Sequence, residues 1–210
     1  LDLIPMIDYV TISHNHYDHL DINSLINISK THPKAIFLVP MGDGRLLKRK
    51  NIRNVYEFEW WESHIANDIT FTFTPVQHWS KRGLFDRNKS LWGGWHIKDK
   101  DYSMYHAGDT GYSRDFIDTK LRLGSPKYAF IPIGAYDPEW FMSSSHVNPE
   151  DAVQIMIDLE AEKAFGMHWA TFVLTDEDTI DPKLRLNKAV KDFNNLDFMP
   201  LSPGQIIRID

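Results

Sequence analysis

From Ile69 to Val76, apolar residues and threonines take turns along the chain, a period of two that predicts a β-strand with one face in the core and the other wetter. The strand runs directly into Gln77 and His78. Other short apolar runs share this habit. IDYVTIS (7–13), rich in β-branched and aromatic residues, predicts a strand that delivers the chain to His14; DYSMYHAG (101–108) leads to Asp109, and KAFGMHW predicts a short strand ending at His168. AIFLVP (35–40) and KYAFIPIGA (127–135) read as buried strands, and LWGGWHI (91–97) forms a hairpin with the 101–108 run across the polar turn KDKD. Helical spacing appears three times. Asp21 caps a helix over 22–31 with Ile22, Leu25 and Ile26 on one face, Asn148-Pro149-Glu150-Asp151 opens a helix to about Glu162, and Asp181-Pro182 opens one that aligns Leu186, Ala189, Val190 and Phe193. This succession of strand, turn and helix predicts an α/β fold with βαβ units. Strand ends along one edge of such a fold converge on a cleft, so His14, His78, Asp109 and His168 are expected to meet.

Composition narrows the partners. With 210 residues, 42% of them hydrophobic, the chain is expected to fold as one domain around a sizeable core. A net charge of -6 and no long Lys/Arg run argue against a nucleic-acid partner. Zero cysteines exclude disulfides, thiolate metal sites and a cysteine nucleophile, so any metal must be held by His, Asp or Glu. No apolar run approaches the ~20 residues that span a bilayer, and a cytoplasmic protein is expected. Leu1, inside a run LDLIPMIDYV that reads as the middle of a chain, predicts a longer parent.

The densest chemistry is HNHYDHLD, where His14, His16, Asp18 and His19 crowd into six residues. Three imidazoles and a carboxylate in one loop are electrostatically awkward without a cation, and these donors suit Zn²⁺, Mn²⁺ or Fe²⁺. SHNHYDHLD resembles the metallo-β-lactamase superfamily signature, in the form found in the branch containing N-acyl-phosphatidylethanolamine-hydrolysing phospholipase D. PVQHWSKRGLFDRNKSLWGGW, HAGDTGY, IPIGAYDPEWFMSSSHVNPEDAV and MHWATF resemble further segments of that branch, in the same order, across most of residues 7–175.

The resemblance implies an αββα sandwich whose N-terminal strands lie outside these residues, leaving one sheet short of partners. It implies two divalent metal ions, zinc foremost: one on His14, His16 and His78, the second on Asp18, His19 and His168, with Asp109 bridging. It also implies a hydrolase that attacks through a metal-bridging hydroxide, most readily a phosphodiesterase of phospholipase D type acting on N-acyl-phosphatidylethanolamine-like phospholipids, with peripheral membrane contact. Asp18 would double as an orienting base, and His146 matches a histidine that binds or protonates the leaving group, although a locally packed helix-entry residue reads equally well. A lactonase or other small-metabolite hydrolase could use the same dinuclear centre, and a non-catalytic metal-binding module stands as the alternative of another class.

The remaining candidates carry plainer expectations. His32, His64, His96 and His106 match no ligand position. Any single tryptophan, including Trp79 and Trp169 beside the proposed ligands, is expected to be buried without ligand contact, and 133–142 are expected to pack rather than accept an acyl chain. Lys81 and Arg82 read equally as phosphate contacts or solvated charges. Gly108 and Gly111 fall far short of a phosphate-binding loop and are better explained by backbone freedom around Asp109.

Overall fold

The computed structural model describes residues 4–193 and 196–208. Its strands are β1 (Tyr9–Thr11), β2 (Ile36–Pro40), β3 (Val55–Phe58), β4 (Ser63–Ala66), β5 (Ile69–Thr74), β6 (Gly94–Lys98), β7 (Ser103–His106), β8 (Tyr128–Pro132), β9 (Lys163–Met167) and β10 (Phe198–Pro200). Its helices are α1 (Ile22–Thr31), α2 (Gly44–Lys48), α3 (Asp115–Leu123), α4 (Glu139–Met142), α5 (Pro149–Leu159) and α6 (Asp181–Asp192). Among the described residues, no helix is long and apolar enough to cross a membrane.

Local chemistry sets the helix starts. The Asp21 carboxylate accepts from the Asn23 and Ser24 amides at the head of α1, and Asn148 accepts from the Asp151 amide at the head of α5, where Pro149 has no amide to leave unpaired. Glu160 ends α5 in a left-handed conformation at φ 50°, two residues before the end that the sequence pattern predicts.

Two sheets stack. One has three parallel strands in the order β1-β2-β3; the other has seven, in the order β10-β9-β8-β7-β6-β5-β4, antiparallel from β4 to β7 and parallel from β7 to β10. Three apolar cores mark the layers. Leu25 of α1 and Leu47 of α2 pack on Phe37 and Val39; Leu38, Phe58, Phe71, Phe73 and Trp95 fill the space between the sheets; and Phe116 of α3, Val153 and Met156 of α5 and Leu186 of α6 cover the far side of the large sheet. Helix, sheet, sheet, helix is the αββα sandwich.

The wetter face expected for β5 is dry. Thr72 and Thr74 are as buried as Phe71 and Phe73, because the helical layer covers the threonine side. Their hydroxyls pair inside the protein instead of with water, Thr72 with Ser63 at 2.8 Å and Thr74 with the Tyr105 hydroxyl at 3.2 Å. Tyr105 reaches across β6 because Gly94 leaves the gap: a Cβ there would stand 2.6 Å from the phenol oxygen.

The segment 92–95 ties both sheets together at the edge where β1 and β5 end. The Trp95 indole donates to the Ile12 carbonyl, the Gly93 amide to the Ser13 carbonyl and the Trp92 indole to the Val76 carbonyl, each at 2.9 Å. These carbonyls lie one or two residues before His14 and His78.

Candidate metal centre

The expected convergence occurs. His14 and His16 follow β1, His78 follows β5, Asp109 follows β7 and His168 follows β9, and all of them point into one hollow together with Asp18 and His19. Two donor sets form there, His14/His16/His78 and Asp18/His19/Asp109/His168, within each of which one ligand atom per residue lies within 4.8 Å of every other. In the first, His14 Nε2 and His78 Nε2 stand 2.9 and 3.3 Å from His16 Nδ1. In the second, His19 Nε2 is 3.0 Å from Asp109 Oδ2 and 3.4 Å from Asp18 Oδ2, and His168 Nε2 is 3.5 Å from Asp18 Oδ2. Asp109 touches both sets: its Oδ2 also lies 3.8 Å from His14 Nε2 and 3.9 Å from His78 Nε2.

Several observations fit these residues to cations. Donors bound about 2.1 Å from a tetrahedral ion lie roughly 3.4 Å apart, which is the spacing seen. Asp109 Oδ1, His19 Nε2 and His146 Nδ1 are buried without a hydrogen-bond partner. The outer nitrogens of two of these histidines are held by the protein, His14 Nδ1 by the Ser13 hydroxyl at 3.0 Å and His78 Nδ1 by the Ser145 carbonyl at 2.9 Å, which turns each Nε2 inward. His168 adopts φ 59°, a costly conformation for a residue with a Cβ, and it sits where the chain turns this imidazole into the hollow.

The protonation pattern agrees. Burial pushes His14 well below the ordinary histidine range and His78 down to about 3, so both imidazoles are neutral. Burial works against ionising Asp109 and Asp18, but His168 and His19 beside them outweigh it and hold both carboxyls below their usual range. Burial lowers His19 as well, yet its contacts with Asp109 and Asp18 prevail and raise it to about 10, so without a cation a proton sits between these groups. Neutral imidazoles, carboxylates and one displaceable proton are what a divalent cation needs.

His146 joins the hollow from the segment after α4, within the same 4.8 Å reach of His78 and Asp109, with its ring 5.2 Å from that of His78 and 5.8 Å from that of His168. Burial lowers its pKa, which leaves the ring neutral. It therefore faces the site instead of packing locally. The other four histidines stay apart from the two donor sets: His32 Nδ1 accepts from the Ile7 amide at the end of α1, His64 lies among Tyr9, Tyr56, Phe58 and Phe71, and His96 and His106 are pushed down to about 4 by burial within β6 and β7.

The tryptophan expectation fails in part. Trp79 meets His16 edge-on at 4.4 Å, and Trp169, though buried, lines a cavity of about 140 Å³ with Asp18, His19, His168, Thr171, Phe172 and Leu174. The packing expected over 133–142 also holds only in part: Ile133–Tyr136 are buried, whereas Trp140 is 84% and Phe141 65% exposed, because α4 presents them outward. Gly108, at φ 65°, lies so close to Ser13 that a Cβ would stand 2.7 Å from the serine Cβ, and one at Gly111 would meet the Ser143 carbonyl at 2.7 Å; close approach explains both glycines. Arg82 is more than a solvated charge, since its Nη1 donates to the carbonyls of Asn15 and Leu20. Sequence reasoning missed this contact, the Asn15–Asp43 hydrogen bond at 3.0 Å and the tryptophan ties at 92–95; only the position of Arg82 close after His78 hinted at them.

Comparison with known proteins agrees with this geometry. A family model described as the β-lactamase superfamily domain matches residues 1–169. The chain is 35% identical over 220 residues to N-acyl-phosphatidylethanolamine-hydrolyzing phospholipase D 1 of Caenorhabditis elegans, covering 98% of this chain and 62% of that protein. It is 41% identical over 191 residues to the mitochondrial N-acyl-phosphatidylethanolamine-hydrolyzing phospholipase D of Saccharomyces cerevisiae, covering 87% of this chain and 40% of that protein. The chain thus spans about half the length of these relatives. Among solved structures, a metallo hydrolase from Ignicoccus hospitalis superposes with a TM-score of 0.71 at 23% identity, over 94% of this chain and 77% of the other, which speaks to fold alone.

Proposed function

The chain belongs to the β-lactamase superfamily, and from this premise we propose that it is a metal-dependent hydrolase, a phosphodiesterase of phospholipase D type acting on N-acyl-phosphatidylethanolamine-like phospholipids. The observation that carries the reading is the meeting of two donor sets at Asp109 Oδ2 in a chain so similar to two proteins named for this reaction. His14, His16 and His78 would hold one divalent ion, Asp18, His19 and His168 the other, and Asp109 both. Divalent ions, zinc foremost, would supply there a water activated at neutral pH and a charge that polarises the phosphoryl oxygen.

The chain's own groups do the rest. Asp18, kept ionised and partly exposed at the cavity, orients the attacking water and takes up its proton. His146, neutral and with Nδ1 unpartnered, binds or protonates the departing oxygen. Trp169, Phe172 and Leu174 line the cavity beside Asp18, His19 and His168 and give it an apolar wall. Leu84 and Phe85, Trp140 and Phe141, and Phe172 and Val173 are each 62–86% exposed, and they lie within seven residues of His78, His146 and His168 respectively. Exposed apolar groups of this size suit peripheral contact with a lipid surface. The small cavity favours, as second reading, a lactonase or other small-metabolite hydrolase on the same centre.

Zinc-loaded protein incubated with N-acyl-phosphatidylethanolamine in mixed micelles should release phosphatidate and N-acylethanolamine, and Asp109→Asn should abolish the release. Turnover of lactones without any phosphatidate would move the assignment to the second reading. Zinc uptake with no turnover of either would leave a binding module.

A further inference from the structure

Arg82 grips both ends of the turn that carries His16, Asp18 and His19. The amides of His19 and Leu20 both donate to the His16 carbonyl, at 3.1 and 2.8 Å, so residues 16–20 form one tight turn. The carbonyls that flank it, Asn15 before and Leu20 within its last residue, both accept from Arg82 Nη1, at 3.0 and 2.8 Å. Arg82 is itself locked. Its guanidinium carbon stands 4.1 Å over the Tyr17 ring, the Tyr17 hydroxyl donates to the Arg82 carbonyl at 3.0 Å, and the Asp86 carboxylate accepts from the Arg82 and Gly83 amides. From the other side, the buried Asp43 carboxylate takes the Asn15 amide at 3.0 Å. Arg82 is only partly exposed and its charge is turned to main-chain oxygens.

We propose that Arg82 is a positioning residue for the metal centre: it pre-forms the 16–20 turn, so that one donor of the first set and two of the second stand in place before any ion arrives. This rests on the reading of His16, Asp18 and His19 as ligands. Without the clamp the turn frays in the metal-free chain, and binding must then supply the cost of ordering it. Loss of such outer support typically costs 10–100-fold in metal affinity. Because Arg82 does not face the hollow, its loss should lower kcat and leave KM little changed, whereas a phosphate contact would raise KM.

Zinc affinity of the full chain, measured by competition with a chromogenic chelator, tests this without any substrate. Arg82→Met should bind zinc about 10–100-fold more weakly. Arg82→Lys keeps the charge but lacks the planar fork, and should lose at least about threefold. Arg185→Met removes a comparable surface clamp, the one on Glu139 and Glu150, and should keep wild-type zinc affinity within about twofold. Wild-type affinity in folded Arg82→Met overturns the proposal. If that variant does not fold, wild-type affinity in Arg82→Lys overturns it, as does an equal loss in Arg185→Met, which would mark general destabilisation. A wild-type chain that takes up no zinc sinks the metal reading itself and the clamp with it.

Discussion

The metal-free protein should carry an imidazolium at His19 that survives to about pH 10 and makes the fold lose stability in alkali. His19 Nε2 lies 3.0 Å from Asp109 Oδ2 and 3.4 Å from Asp18 Oδ2, and although burial opposes its charge, those two carboxylates raise it from 6.5 to about 10. A histidine raised in the folded state stabilises the fold fully below its unfolded value, about 6.5, and that contribution is lost as pH climbs through the folded one. A difference of 10 − 6.5 at about 1.4 kcal/mol per pH unit sets a ceiling of about 5 kcal/mol, which counts the contacts with Asp109 and Asp18 once and not again as the lowering of those acids. Urea denaturation of chelator-treated protein at pH 6.5, 8.5 and 10 should show the decline. His19→Gln should lack it, and zinc-loaded protein should lack it too, because the ion takes the proton's place. An NMR titration of the metal-free protein in which the His19 ring deprotonates below pH 7, or a metal-free stability that is flat across the range, would refute the reasoning.

Other outcomes follow from single contacts. Trp95→Phe removes the donor to the Ile12 carbonyl inside the core and should cost about 1–3 kcal/mol in urea denaturation; a loss within 0.5 kcal/mol of zero would show that the tie carries no weight. Gly93→Ala places a Cβ 2.3 Å from the Thr74 carbonyl oxygen and 2.7 Å from the Phe73 ring, so stability should fall by at least ~3 kcal/mol, read as a drop in Tm, and an unshifted Tm would contradict it. Asp43, driven up to about 6 by burial, favours its protonated form in the fold: relative to an ordinary Asp its contribution is complete below about pH 4 and is lost as pH rises through 6. Asp43→Asn should therefore be more stable than wild type at pH 8 by up to about 3 kcal/mol and nearly equal to it at pH 4; equal stability at both pH values would reject the shift. Replacing Phe85 and Trp140 with serine should weaken sedimentation with phospholipid vesicles several-fold, and unchanged sedimentation would remove the membrane-facing reading.

Much of this was legible in order along the chain. Period-two and period-3.6 patterns are local, and they gave the strands leading to His14, His78, Asp109 and His168 and the helices at Ile22–Thr31 and Asp181–Asp192. The crowding of His14, His16, Asp18 and His19 announced a cation because like groups that close repel unless something binds them. The short elements β3, β4, β10 and α2 gave no such signal, being only three to five residues long. Nor did α3, which buries little besides Phe116 and Thr119 and takes its place from packing on α5.

By itself the sequence determined which residues carry donors and which strands deliver them, because both are properties of neighbours in the chain. Which set each donor joins, how Asp109 Oδ2 serves both, why Thr72 and Thr74 are dry, and where the charge of Arg82 is spent were decided only when the two sheets stacked. Those are distances between residues up to 150 positions apart, and nothing along the chain encodes a distance until desolvation and close packing fix one.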